Sequence, residues 1–94
     1  MAKGYGHEKP LSDADLDIIE ARFRRASTGP WKSYVEGRDR VGGSSFIMVG
    51  EGAGRQDDME LTGATAADQD FIAEARQDIP APVAEVRALR ALLK

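Results

Sequence analysis

The sequence predicts an α+β domain in which helices cover one face of a small antiparallel sheet. Two capping boxes, each followed by apolar residues at helical spacing, predict helices in both halves of the chain. Between these helices, apolar and polar residues begin to alternate at Trp31, which indicates β-strands. The chain has 94 residues, a length that supports one hydrophobic core. We therefore expect a flexible arm over residues 1–11 and a single domain over residues 12–94.

The first helix is predicted over residues 13–27. Ser12 and Asp15 have the spacing of a capping box, in which each side chain binds the backbone amide of the other residue. Apolar residues then recur on one helical face from Leu16 onward, so this face is expected to be buried. The helix is expected to end before Gly29-Pro30, because proline cannot continue the ladder of helical hydrogen bonds.

Three strands are predicted next, over residues 31–36, 44–49 and 59–62. In the first of them, Trp31, Ser33 and Val35 share one face, and Lys32, Tyr34 and Glu36 share the other. Together the strands are expected to form an antiparallel meander with one solvated face. The polar segment GEGAGRQDD between the second and third strands is expected to be a mobile, exposed loop.

Two helices are predicted after the sheet, over residues 66–78 and 82–93. Thr65 and Asp68 form the second capping box, which opens the first of these helices. The helices are expected to be separate, since a proline disfavours helical backbone in the residue before it. The inward stripe predicted for the first helix consists of Phe71, Ile72, Ala75 and Ile79.

The last helix carries an apolar stripe that is wider than a small sheet covers. We therefore expect the protein to form a homo-oligomer. Arg87 and Arg90 are expected to point mostly outward. The stripe consists of Val83, Val86, Leu89, Leu92 and Leu93.

Composition and charge exclude several classes of function. The chain has no cysteine, which excludes disulfides, thiolate zinc sites and a cysteine nucleophile. Its net charge of −3 makes nucleic acid an improbable partner. No stretch has the roughly 18 apolar residues that a membrane span needs, and the first ten residues lack the apolar core of a signal peptide, so we expect a cytoplasmic protein. The single histidine, His7, lies in the arm without catalytic partners, and we expect no enzyme activity, metal or cofactor.

One region of the chain is basic and predicts a site for a small anion. Residues 22–40 hold six basic residues and two acidic ones. The planar guanidinium group of arginine and the backbone amides of a glycine turn can both donate hydrogen bonds to phosphate oxygens. The competing interpretation is that these arginines are solvated or serve the helix dipole, and that Trp31 lies in the core. The candidate ligand-binding residues are Arg38, Arg40, Gly42, Gly43, Ser44 and Ser45, with Arg55 closing from the following loop and Trp31 available to stack on a base.

Two segments of the sequence carry a resemblance to known proteins. The Ser27-Thr28-Gly29-Pro30-Trp31 turn, followed by ADQDFIAEARQDIP over residues 67–80, resembles small phage and prophage proteins of early regions. The order of helices and strands is also similar to phage anti-Thoeris proteins. Those proteins sequester nucleotide-derived immune signals as oligomers without cleaving them. This second similarity concerns layout and size, and no ligand residue is carried over from it.

Two functions follow as hypotheses. The first is a non-enzymatic phage or mobile-element protein that captures a nucleotide-derived anionic immune signal and so counters host defence. The second is an interaction or immunity-type protein that inhibits a host protein through its acidic surface. The acidic candidates for the second function lie at residues 57–58 and 68–78. A rise in melting temperature with cyclic nucleotides is expected only for the first function.

Overall fold

The structure is a computed structural model that describes residues 10–39 and 42–94. It confirms the α+β class, with a small antiparallel sheet, a helix before it and helical structure after it. Residues 1–9 of the predicted arm lie outside the described residues, and so do Arg40 and Val41. The elements in chain order are α1 (Asp13–Arg25), β1 (Trp31–Tyr34), β2 (Phe46–Val49), a 3-10 turn (Gly52–Gly54), α2 (Ala66–Asp78) and α3 (Pro80–Leu92).

Both predicted capping boxes are present. At the start of α1, the Ser12 amide donates to the Asp15 carboxylate over 2.8 Å, and the Asp15 amide donates to the Ser12 hydroxyl over 3.0 Å. At the start of α2, Thr65 and Asp68 make the same two bonds over 3.1 and 3.0 Å. These reciprocal bonds satisfy amides that a helix start would otherwise leave without partners.

The sheet of the described residues has two strands, so the expectation of three or more is correct only in part. Strands β1 and β2 are antiparallel, with Trp31 opposite Val49. The predicted third strand is reduced to one bridge, in which the backbones of Ile47 and Met59 exchange hydrogen bonds of 2.8 and 2.9 Å. The chain leaves the sheet after this bridge, because the Ala64 amide closes a turn on the Leu61 carbonyl.

The two predicted C-terminal helices are two pieces of one bent helix. Ile79, the junction between α2 and α3, keeps right-handed helical angles of φ −75° and ψ −42°. The second piece begins at Pro80, two positions before the predicted start. Prolines are tolerated there because they occupy the first turn of α3, where their missing amides remove few helical bonds. The Val83 amide still donates to the Ile79 carbonyl over 3.3 Å, so the backbone bends without a loop.

The main core lies where α2 covers the sheet. Ile47, Val49 and Ala73 are buried there, and Trp31 packs against them with Met59 and Leu61. A second contact, between α1 and α3, buries Leu16 and Val83.

The inward face predicted for α2 is wrong. Gln69 and Ala73 are its buried residues, whereas Phe71 is 74% exposed and Ile79 is 43% exposed. Hydrogen bonds to the sheet explain this orientation of α2. Gln69 reaches the sheet and donates from Nε2 to the Tyr34 and Phe46 carbonyls over 3.0 and 3.1 Å. Its contacts fix the rotation of α2 and turn Phe71 toward solvent.

Candidate functional site

Arg38, the central residue of the predicted anion site, lies between two carboxylates. Its guanidinium donates to both oxygens of Asp70, over 2.7 and 3.1 Å, and to Oδ2 of Asp39 over 2.9 and 3.1 Å. The bond from Arg38 lowers the pKa of Asp70 and also that of Asp39. Asp39 also accepts the Val35 amide over 2.7 Å, so the cluster organises the turn after β1. One cation shared by two anions leaves this cluster with a net negative charge.

The serines of the predicted site also have partners within the chain. The Ser44 hydroxyl donates to Glu60 over 3.1 Å, and the Ser45 hydroxyl accepts the Glu36 amide over 3.0 Å. Gly42 and Gly43 are exposed, and Gly43 has the positive φ of +101° that suits glycine. The structure therefore brings the Glu60 carboxylate to this turn.

The remaining candidate residues serve separate contacts. Arg55 forms an ion pair with Asp58 over 2.6 Å within its own loop. The indole of Trp31 donates from Nε1 to the Ser27 carbonyl over 3.1 Å and packs against the core. Arg40 lies outside the described residues. Among the candidates that the structure describes, the charged and hydroxyl groups bind partners of this chain, and a small anion would compete with those partners.

A different surface stands out on α2, on the side that faces away from the sheet. We call it the α2 outer face and define it by Phe71 with Asp68 one turn before it and Glu74 one turn after it. All three residues are exposed, and Phe71 keeps 74% of its surface in contact with solvent. A large aromatic side chain between two carboxylates is therefore presented outward on a regular helix.

A shallow open depression extends this face toward the segment that precedes α2. It has a volume of about 540 Å³. Ile72, 37% exposed, and Leu61 add apolar surface to it. The depression is lined by Leu61, Thr62, Gly63, Ala64, Asp68, Phe71 and Ile72.

Sequence reasoning misses the exposure of Phe71 because its apolar neighbours suggest a buried stripe. The useful signal is Gln69, since a glutamine four residues before Ala73 continues the same helical face. An amide side chain suits a helix that closes on the ends of two strands, where it can bind their carbonyls. With Gln69 and Ala73 inward, the helical spacing places Phe71 outward.

Comparison with known proteins identifies no relative of this chain. No protein-family model matches the chain, and no curated protein or solved structure is significantly similar to it. Within residues 10–39 and 42–94, no helix is long and apolar enough to cross a membrane. No group of three histidine or carboxylate side chains that could hold a metal ion occurs in this part of the chain either.

Proposed function

We propose that this chain is a non-enzymatic interaction protein that binds another protein through the α2 outer face. The partner surface is basic and offers an apolar pocket for Phe71. The exposure of Phe71 between Asp68 and Glu74 is the observation that carries this proposal. The resemblance to early phage proteins makes a host protein the proposed partner, and inhibition the proposed consequence of binding.

The exposed ring supplies the energy of association. Burying a phenylalanine side chain stabilises a complex by about 1.5–3 kcal/mol. Aromatic residues are enriched in the cores of protein interfaces for this reason. Within the chain, Gln69 and Ala73 occupy the inward positions of α2, so the ring has no place in the core. A pocket on a partner protein would bury it.

The carboxylates supply selectivity. Asp68 and Glu74 flank the ring on the helix, and the whole chain has a net charge of −3. Like charges repel an acidic protein, whereas a basic surface is steered toward this face. Because the charges are exposed, their effect on affinity is expected to weaken as salt is added.

Capture of an anionic signal stays a prediction, and the contacts of Arg38 argue against it. A phosphate would have to displace Asp70 and Asp39 from the guanidinium. We expect a panel of cyclic nucleotides to leave the melting temperature unchanged. A ligand-dependent rise that Arg38→Ala abolishes would favour the capture function over the one proposed.

The proposal is tested with a defined probe. A labelled amphipathic peptide with Lys on one helical face and Leu on the other is titrated by fluorescence anisotropy, beside a peptide with Glu in place of Lys. We expect the Lys peptide to bind, and Phe71→Ala to weaken it by about tenfold, which corresponds to 1.4 kcal/mol.

Leu92→Ala is the matched control, because Leu92 is an apolar residue of α3 with 79% exposure. It is expected to leave peptide affinity unchanged. Equal binding of the Lys and Glu peptides, or equal loss in Phe71→Ala and Leu92→Ala, would overturn the proposal.

A further inference from the structure

Side chains four residues apart form rows along helix α2. One row faces the sheet and consists of Gln69, Ala73 and Gln77. Gln69 binds strand carbonyls, and Ala73 is buried. Gln77 accepts the Trp31 amide over 2.8 Å and donates to the Trp31 carbonyl over 3.2 Å. The row that begins two positions after Gln69 is rotated by about 200° from it, so it is directed away from the sheet.

The row directed away from the sheet is apolar. It consists of Phe71, Ala75 and Ile79, and we call it the apolar ridge. Its two large members, Phe71 and Ile79, are exposed. Ile79 keeps helical backbone angles, so the ridge continues without a break over about 12 Å. Ala75 in its middle is small, which allows another helix to cross the ridge closely.

A row of carboxylates runs beside the apolar ridge. It consists of Asp70, Glu74 and Asp78, and we call it the acidic ridge. Asp70 is paired with Arg38. Across residues 10–39 and 42–94, the carboxylates of Glu74 and Asp78 form neither an ion pair nor a hydrogen bond.

The two unpaired carboxylates of the acidic ridge are unfavourable for the isolated chain. Glu74 and Asp78 are one turn apart, and like charges at this spacing weaken a helix. Asp78 also lies at the C-terminal end of α2, where the helix dipole disfavours a negative charge. Cations supplied from outside the chain would relieve both effects.

The exposed apolar surface of α3 differs in this respect. Arg87, expected to point mostly outward, faces α1 and donates to Glu20 over 2.9 and 3.0 Å and to Asp17 over 2.7 Å. Arg90 likewise donates to Asp13 over 3.0 Å. These charges of α3 are paired within the chain, whereas the charges beside the apolar ridge are not.

We infer that the partner presents an amphipathic α-helix whose basic edge lies over the acidic ridge. This inference rests on the proposed function, because Phe71 and Glu74 belong to both surfaces. Apolar side chains of the partner helix pack beside Ala75, and Phe71 enters a hole between them, which is its apolar pocket. Lys or Arg side chains one turn apart on the partner meet Glu74 and Asp78.

A helix fits the two ridges better than an extended segment does. The ridges lie side by side, so the occupant must present apolar and basic side chains in neighbouring rows. A helix does this, whereas a strand of alternating apolar and basic residues places them on opposite faces. A second copy is disfavoured because it brings a surface of the same negative charge. The homo-oligomer expected from α3 stays a prediction that these ridges do not support.

Two labelled peptides of identical Lys and Leu composition test the inference by fluorescence anisotropy. In one peptide Lys and Leu follow the helical period, and in the other they alternate. We expect the first to bind at least about tenfold more tightly, because it alone presents the two residue types in neighbouring rows. Far-UV circular dichroism is expected to show that this peptide gains helix on binding.

Asp78→Asn and Ile79→Ala test how far along α2 the site extends, since both positions lie about two turns beyond Phe71. Each is expected to weaken binding of the helical peptide about three- to fivefold. The urea midpoint of Asp78→Asn is expected to stay level or rise, because the change removes repulsion from Glu74. Asp57→Asn is the matched control, since Asp57 is exposed outside both ridges, and it is expected to leave the affinity unchanged.

Equal binding of the two peptides would overturn the inference. Unchanged affinity in Asp78→Asn or in Ile79→Ala would also overturn it, as would equal losses in Asp78→Asn and Asp57→Asn. These outcomes differ from a failure of the proposed function, in which Phe71→Ala loses no more affinity than Leu92→Ala. If Phe71→Ala weakens binding and Asp78→Asn does not, the proposed function stands and the helical partner is rejected.

Discussion

Arg38 and Asp70 form a bidentate ion pair across 32 residues of chain, with nitrogen–oxygen distances of 2.7 and 3.1 Å. The pair joins the turn after β1 to the first half of α2. It therefore supports the placement of α2 on the sheet, and it gives Arg38 a partner within the chain. The acidic partner that neutralises Arg38 belongs to the helix that presents Phe71.

The first prediction concerns the coupling between Arg38 and Asp70. Arg38→Ala and Asp70→Ala are each expected to lower the free energy of unfolding slightly, since both side chains are exposed and screened by solvent. The double variant is expected to lose less than the sum of the two losses, because the second change removes a partner that is already absent. Urea unfolding measures all three values. Strict additivity of the two losses would mean that the interaction between Arg38 and Asp70 contributes nothing to stability.

The second prediction concerns acid pH. The bond from Arg38 lowers the pKa of Asp70 in the folded protein, so the pair stabilises the fold above the unfolded pKa and is lost as pH falls through the folded one. Stability is expected to be level near neutral pH and to fall below about pH 4. In Asp70→Asn this fall is expected to be shallower. Identical slopes below about pH 4 in the two proteins would contradict the assigned pKa shift.

The third prediction concerns Gln69, a polar side chain that is only 4% exposed. Gln69→Leu removes the donor to the Tyr34 and Phe46 carbonyls. These carbonyls are partly buried. Leaving a buried acceptor without its partner costs about 1–3 kcal/mol, so we expect a loss of stability within or just below that range. Gln77→Leu is the comparison: Gln77 also binds the sheet, at the amide and carbonyl of Trp31, but these bonds are exposed, so their loss is expected to cost less. A larger loss of stability for Gln77→Leu than for Gln69→Leu would contradict the importance assigned to the Gln69 contacts.

The fourth prediction concerns Gly50, which turns the chain at the end of β2 with a φ of +74°. A Cβ atom there would collide with the carbonyl oxygen of Gly54. Gly37 has a φ of +86° and open space around it, so Gly37→Ala tests the backbone conformation alone. We expect about 1–2 kcal/mol for Gly37→Ala and a greater loss for Gly50→Ala, measured by urea unfolding. Equal losses would show that the collision is relieved at no cost.

The features that sequence predicts well here are local. Ser12 with Asp15, and Thr65 with Asp68, satisfy each other over three residues, so their pattern is sufficient to place the starts of α1 and α2. The α+β class and the position of β1 follow from similarly local patterns. The third strand is overpredicted because pairing at Met59 depends on how far the chain runs beside β2, which side-chain alternation does not determine.

The candidate site is less predictable because its interactions are long-range. Arg38 resembles an anion ligand when only its basic neighbours are considered, yet its partner Asp70 lies on another element. The outward position of Phe71 depends on Gln69 binding the strand ends, a contact that apolar periodicity hides. The exposed apolar stripe of α3 is predictable from Leu89 and Leu93, because a small sheet lacks the area to bury the apolar faces of all the helices.

The most direct test of the central claim maps where a basic partner binds. Uniformly ¹⁵N-labelled protein is titrated with the Lys–Leu peptide, and the chemical shifts of the backbone amides are followed by NMR. The α2 outer face predicts that the largest shift changes fall at residues 67–75, centred on Phe71, and that Phe71→Ala removes them. Largest changes at residues 36–39 and 42–45, around Arg38, would contradict the proposed function.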